Sequence, residues 1–201
     1  MAHQMTKPFS ITVLISGGGT TLKNLIEYRE AGKLDAEIGL VISNNPNSGG
    51  LQFAKDAGIP FEVVNHKDFE SDQTFNTALF HACRKTHCDL VVCGGFLRLL
   101  IVPDDFENRI INIHPSLIPA YSGKGFFGMR VHNAVIAAGE KKSGCTVHFV
   151  DNIYDHGKIV AHQTVDVLPD DTPEKLQKRV FQAECKLLPE VINTFAREPK
   201  S

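Results

Sequence analysis

The sequence predicts an α/β protein built on one mostly parallel sheet with helices on both faces. Three observations carry this expectation. Strand-like apolar runs alternate with helix-spaced segments along most of the 201 residues. A glycine-rich turn, Gly17-Gly18-Gly19, joins the first strand-like run to the first helix-like one. Near the C-terminus, two strand-like runs are separated only by a short polar link. Alternation places helices in the crossovers of a parallel sheet. Right-handed crossovers make that sheet doubly wound and Rossmann-like. The last two runs then add an antiparallel C-terminal section.

Each element has a local reason. Ser10–Ser16 (SITVLIS) is a β-branched apolar run, and Gly17 breaks it. Leu22, Leu25, Ile26 and Arg29 follow at helical spacing, with Thr20 or Thr21 expected as the N-cap. Glu37–Ser43 reads as a second strand ended by Asn44-Asn45-Pro46. Ser48–Ala57 reads as a helix stopped by Gly58, and Phe61–Val64 as a short third strand. Ser71–Thr86 is an amphipathic helix carrying Phe75, Leu79, Ala82 and Cys83. Leu90–Cys93 and Ile110–Ile113 are the next strands, closed by Gly94-Gly95 and His114-Pro115. Val131, Ala134, Val135 and Ala138 mark a helix before Gly139. Cys145–Val150 and Ile159–Val165 are the last strands, linked by Asp151–Lys158. Asp171-Thr172-Pro173-Glu174 opens the final helix, with a cap, a first-position proline and an early acid. Its apolar face is Leu176, Val180, Ala183, Leu187, Val191 and Phe195.

Composition narrows the function classes. Hydrophobic residues make up 42% and charged residues 22%, values of a folded domain rather than a disordered chain. The expectation is a single domain over 1–201, with 1–9 a flexible N-terminus. Lys+Arg 21 against Asp+Glu 23 gives −2, which argues against nucleic-acid and membrane-surface binding. No apolar run has the ~20 residues of a membrane span, and the first ten residues lack the apolar stretch of a signal peptide. Five cysteines without a C-x-x-C pair read as reduced thiols of a cytoplasmic protein. The nine histidines include no H-x-x-x-H pair, so no metal is expected.

Three segments can carry chemistry. Ser16–Thr21 lies between a strand and a helix, where backbone N–H groups and the helix dipole hold anions. It lacks the third glycine of a dinucleotide fingerprint and the Gly-Lys-Ser/Thr of a P-loop. A phosphate site and a simple tight turn both remain open. In Asn112-Ile113-His114, residues two apart in a strand project to one side, at a sheet edge where such folds bind ligands. An amide beside an imidazole suits oxyanion stabilisation and proton transfer, although capping roles would use the same groups. Asp151–Gly157 (DNIYDHG) has the wrong acid spacing for a calcium loop, and from the residues alone it reads as a polar turn. His148 nearby fits a satisfied core histidine. G-x-S-x-G is absent, so a serine-hydrolase elbow is unsupported.

At this point the motifs are recognisable. Asn112–Pro119 (NIHPSLIP) resembles the INIHPSLLP signature of the folate-dependent formyltransferases. Gly95–Leu100 (GFLRLL) resembles their GFMRIL folate segment, and Gly144–Val150 with Asp155 resembles their GCTVHFV…D stretch. The resemblance runs from about Ile11 to Phe195, in motif order. It implies formyl transfer from 10-formyltetrahydrofolate, and its nearest branch uses the amine of glycinamide ribonucleotide in purine synthesis.

Position by position, the resemblance assigns formyl-oxygen binding to Asn112 and acid catalysis to His114. It makes Asp155 the group that raises the histidine pKa and relays protons. Leu97, Arg98, Leu99, Leu100 and Ile110, with Asp151, Asn152, Ile153, Tyr154 and Asp155, match folate-holding positions. Gly19, Thr20 and Thr21 match the phosphate loop, and Glu184 matches a glutamate that contacts glycinamide. No metal is implied, and the expected partners are the two small molecules, with the chain a monomer or homodimer. Three departures stand out. Thr20-Thr21 replaces Ser-Asn, Asp72 stands where an arginine follows serine, and Ser122–Met129 has the longer GKGxxGxxVH form. The family's tRNA- and hydrolase-type members carry an extra domain, for which 201 residues leave no room. A sugar-nucleotide amine as acceptor, or a non-catalytic folate- or nucleotide-binding protein, are the alternatives.

Overall fold

The structure, a computed structural model, describes residues 7–198. Seven strands form one sheet: β1 (Ser10–Ile15), β2 (Glu37–Ser43), β3 (Phe61–Val63), β4 (Leu90–Cys93), β5 (Ile110–His114), β6 (Lys142–Phe149) and β7 (Ile159–Asp166). Their order is β3-β2-β1-β4-β5-β6-β7. The first four neighbouring pairs are parallel, and β5–β6 and β6–β7 are antiparallel. The helices are α1 (Thr20–Glu30), α2 (Gly50–Asp56), α3 (Asp72–Lys85), α4 (Met129–Ala137) and α5 (Pro173–Arg197). This is the doubly wound sheet with an antiparallel C-terminal section that the sequence predicts.

Alternation along the strands sends apolar side chains to both faces. Ile11, Val13 and Ile15 of β1 join Leu22 and Leu25 of α1, Val131 of α4 and Leu176, Val180 and Leu187 of α5 in one core. Leu14 points the other way, into a core with Phe75, Leu79 and Phe80 of α3. A sheet covered on both faces explains why its central strands read as continuous apolar runs.

The chain leaves β1 toward β2 and β3 on one side, and later returns to β4 and β5 on the other. Strand order therefore reverses between β1 and β4, and a crevice opens beyond their C-terminal ends. Two bonds bridge it: Ser16 N–H to the Gly95 carbonyl at 3.2 Å, and Leu97 N–H to Ser16 Oγ at 2.9 Å.

Three local expectations need correction. The N-cap of α1 is Gly19, not Thr20 or Thr21, and no side chain caps the helix. Gly19 takes φ 70°, and a Cβ there would stand 2.4 Å from Gly50 Cα, so close backbone packing selects glycine. α2 begins two residues late because Ser48 Oγ donates to the Gly17 carbonyl at 2.6 Å, outside the helix. β6 begins at Lys142, three residues early, because its pairing with β7 extends to Lys142–Asp166. Short 3-10 turns at His66–Asp68 and Asp104–Phe106 carry no periodic signal. Residues 1–6 of the expected flexible N-terminus lie outside the described residues. Phe9 packs against the first core, and its carbonyl accepts from Glu37 N–H at 2.8 Å.

Candidate active site

The last three residues of β5 put Asn112 and His114 on the same side of the sheet. Antiparallel β6 sets His148 opposite Asn112 and Thr146 opposite His114. Thr146 then holds the chain after β5. Its hydroxyl donates to the Ser116 carbonyl at 2.7 Å and accepts from Ile118 N–H at 3.2 Å. The link after β6 turns back over the end of β5 and brings in Asp155, which adopts a left-handed φ of 52°.

Four side chains meet there. Asp155 Oδ2 lies 3.4 Å from His114 Nδ1 and accepts from Gly123 N–H at 2.9 Å. Asp155 Oδ1 lies 3.5 Å from His148 Nε2 and accepts from Asn112 Nδ2 at 3.4 Å. His148 Nδ1 donates to the Phe149 carbonyl at 2.8 Å, which leaves Nε2 to accept from Asn112 Nδ2 at 3.1 Å. His114 Nε2 donates to the Tyr121 carbonyl at 2.9 Å. His148 is thus the satisfied core histidine that the sequence allowed, and it also orients Asn112.

The His114 pKa differs from expectation. Burial is the largest influence and lowers it. Asp155 and the Tyr121 carbonyl act in the raising direction, as the resemblance implies, without offsetting burial. Burial also works to raise the Asp155 pKa. The adjacent His148 ring, the neighbouring His114 charge and the Gly123 N–H outweigh that and hold the carboxyl below its ordinary range.

These groups open into a cavity of about 490 Å³. Thr20 and Thr21 after β1, Leu97 after β4, Tyr154 after β6, and Gln177, Phe181 and Glu184 of α5 line it. Burial raises the Glu184 pKa to about 8. A smaller recess of about 50 Å³ adjoins it and is lined by Arg98, Leu99, Leu100, Asp151 and Ile153. Phe96, Asn112, Tyr154 and Asp155 line both, so the two spaces meet at the Asn112–Asp155 pair. Leu97, Ile153 and Tyr154 leave an exposed apolar rim.

Three expected site residues fall elsewhere. Ile110 is fully buried in the α3-side core and lines neither space, because it is two residues before Asn112 on a strand packed by α3. Asn152 lines neither and instead accepts Val102 N–H at 2.8 Å. Gly19 is turned against Gly50 and lines neither space. Asp72, where the resemblance expects arginine, pairs with Arg98 at 2.7 Å.

The long loop that the sequence singled out lines the cavity with Lys124, Phe126 and Phe127, and residues given no role from the sequence join them: His132 of α4, and Gln177 and Phe181 of α5. The GKGxxGxxVH form, whose last position is His132, is the sequence signal that points to it. Among the described residues, no cluster of three or more His, Cys, Asp or Glu could hold a metal, and all five cysteines are free thiols. Among the described residues, no helix is long and apolar enough to cross a membrane.

Comparison with known proteins fits this geometry. A phosphoribosylglycinamide formyltransferase from Vigna unguiculata chloroplasts is 40% identical over 190 residues, covering 94% of this chain and 61% of the relative. The chain spans less than two thirds of that relative and 65% of its Arabidopsis thaliana counterpart. The Haemophilus influenzae phosphoribosylglycinamide formyltransferase is 36% identical, over 92% of this chain and 86% of that protein. Among solved structures, glycinamide ribonucleotide transformylase 1 of Symbiobacterium toebii superposes with a TM-score of 0.87. It is 36% identical and covers 94% of this chain and 87% of that one. The formyl transferase family model matches residues 9–192, from the start of the first strand into the last helix. The chain belongs to the formyl transferase family.

Proposed function

We propose that the chain transfers the formyl group of 10-formyltetrahydrofolate to the amine of glycinamide ribonucleotide. One observation carries the reading: Asn112 and His114 project from one strand end into a cavity, with the Asp155 carboxylate 3.4 Å from each. The two joined spaces support two substrates. The smaller recess has apolar walls at Leu99, Leu100 and Ile153, and an apolar rim suits a flat folate ring. The larger space has the uncapped start of α1 on one side, where free N–H groups suit a phosphate.

10-Formyltetrahydrofolate supplies the formyl carbon and the departing nitrogen. Asn112 Nδ2 exchanges its long 3.4 Å bond to Asp155 for the formyl oxygen and stabilises the negative charge that develops there. His114 holds its proton at Nδ1, on the side of Asp155, because Nε2 is already committed to Tyr121. The neutral amine attacks the formyl carbon, and the oxyanion of the tetrahedral adduct is held by Asn112 and the imidazolium. His114 then gives its Nδ1 proton to the departing folate nitrogen as that C–N bond breaks, and the proton lost by the amine returns to His114 beside Asp155. Asp155 favours the imidazolium against the burial that opposes it. Thr20 and Thr21 hold the phosphate, and Glu184 contacts the glycinamide from α5.

The test is an acceptor comparison. The protein and 10-formyltetrahydrofolate are mixed with glycinamide ribonucleotide, with water alone, or with a sugar-nucleotide amine. Rapid deformylation only with glycinamide ribonucleotide supports the reading. Preference for the sugar-nucleotide amine, or turnover with none, removes it.

A further inference from the structure

His132 of α4 has no place in the proposed chemistry, yet it is 2% exposed and lines the same cavity as His114. Its Nδ1 is sealed from solvent and has no hydrogen-bond partner. Its Nε2 is not sealed, so the open edge of the ring faces the cavity. A buried N–H without an acceptor is among the rarest unsatisfied groups in proteins, whereas a buried lone pair is tolerated more readily. The proton of the neutral ring therefore sits on Nε2.

We infer that His132 is a hydrogen-bond donor to the acceptor substrate, presenting Nε2–H to an oxygen of the bound ribonucleotide. The inference rests on the reading above, in which the α5 side of the cavity takes that substrate. α4 packs on α5 through the shared core, and His132 and Glu184 line the same cavity.

The electrostatics of the cavity agree with that division. The titratable side chains lining it are His114, His132, Lys124, Tyr154, Asp155 and Glu184. The Asp155 carboxylate stands 3.4 Å from His114, and among the described residues no ion pair engages His132. Two histidines in one buried space cannot both carry charge cheaply. Burial first, and repulsion by His114 second, push the His132 pKa down to about 4. His114 is thus the ring that takes the proton, while His132 stays neutral and donates from a fixed position. A neutral donor there binds oxygen without competing for the catalytic proton.

Two measurements on the full chain test this. Ring 15N NMR of the wild type reads the His132 tautomer directly, with the Nε2–H form expected. The Nδ1–H form overturns the inference. Calorimetric titration with glycinamide ribonucleotide then compares the wild type, His132→Leu and His132→Gln. Loss of one hydrogen bond should weaken binding about 3- to 10-fold in His132→Leu. Glutamine carries a donor at similar reach and should recover most of it, while 10-formyltetrahydrofolate affinity stays unchanged in both. Wild-type affinity in His132→Leu overturns the inference alone. Equal losses in both variants, with folate affinity lost too, mark a packing role and also overturn it. A wild type that binds no glycinamide ribonucleotide overturns the acceptor reading, and this inference with it.

Discussion

Asp155 holds its carboxylate against Asn112, His114, His148 and the Gly123 N–H from a left-handed backbone conformation that non-glycine residues rarely adopt. In the proposed reaction its charge counteracts the burial of His114. Asp155→Asn removes that charge and keeps the shape, so the His114 pKa should fall further below its ordinary value. If the imidazolium is the acid, the basic limb of the pH–rate profile moves to lower pH, because the proton is lost sooner. NMR titration of His114 in both proteins checks this, and an unchanged pKa would leave Asp155 only a positioning role. Glu184 gives a second residue-scale expectation. Its pKa of about 8 lies above the ordinary 4.5, so the folded chain keeps a proton that the unfolded chain releases. Stability contributed by Glu184 is therefore lost as pH rises from about 4.5 to 8. Glu184→Gln should match the wild type near pH 4.5 and exceed it by about 2–4 kcal/mol at pH 9. Urea unfolding at the two values measures it, and parallel pH curves would contradict it. The Asn112–His114 pair was legible in the sequence because strand side chains repeat every two residues. Its junction with Asp155 depends on a tertiary turn 43 residues along the chain, and only the family resemblance pointed to it.

Helix α5 shows what periodicity captures and what it misses. Its N-cap is Thr172, whose hydroxyl accepts Lys175 N–H at 3.3 Å, as the Asp-Thr-Pro-Glu start predicts. Its apolar face packs into the core with Leu176, Val180, Leu187 and Val191. Pro189 lies inside the helix and has no N–H for the Cys185 carbonyl four residues back. Asn24 of α1 replaces that donor from Nδ2 at 3.0 Å. The bond ties α1 to α5 one residue from Glu184. Asn24→Ala should cost about 1–3 kcal/mol, because it leaves a carbonyl unsatisfied. Pro189→Ala restores the missing N–H, so Asn24→Ala should cost markedly less in that background. Denaturant unfolding of the four proteins checks this, and strictly additive costs would show that the bond is idle. Strand and helix identity followed from apolar spacing. Helix starts did not follow where backbone packing, as at Gly19 against Gly50, displaced side-chain capping.

At the scale of the whole molecule, the reversal of strand order between β1 and β4 opens the crevice, and antiparallel β6 and β7 extend the sheet beyond β5. The parallel part supplies the anion-binding start of α1 and the Asn112–His114 strand end. The antiparallel part supplies His148 and delivers Asp155. Neither half holds the four-residue cluster alone, which fits a family match that spans residues 9–192 rather than one motif. The most direct test follows a 13C-formyl label from 10-formyltetrahydrofolate in the presence of glycinamide ribonucleotide. The wild type should place the label on the glycinamide amine. His114→Ala, with an unchanged circular dichroism spectrum, should slow that transfer by ~10²–10⁴-fold. Label released as formate by the wild type, or transfer at the wild-type rate by folded His114→Ala, would contradict the account.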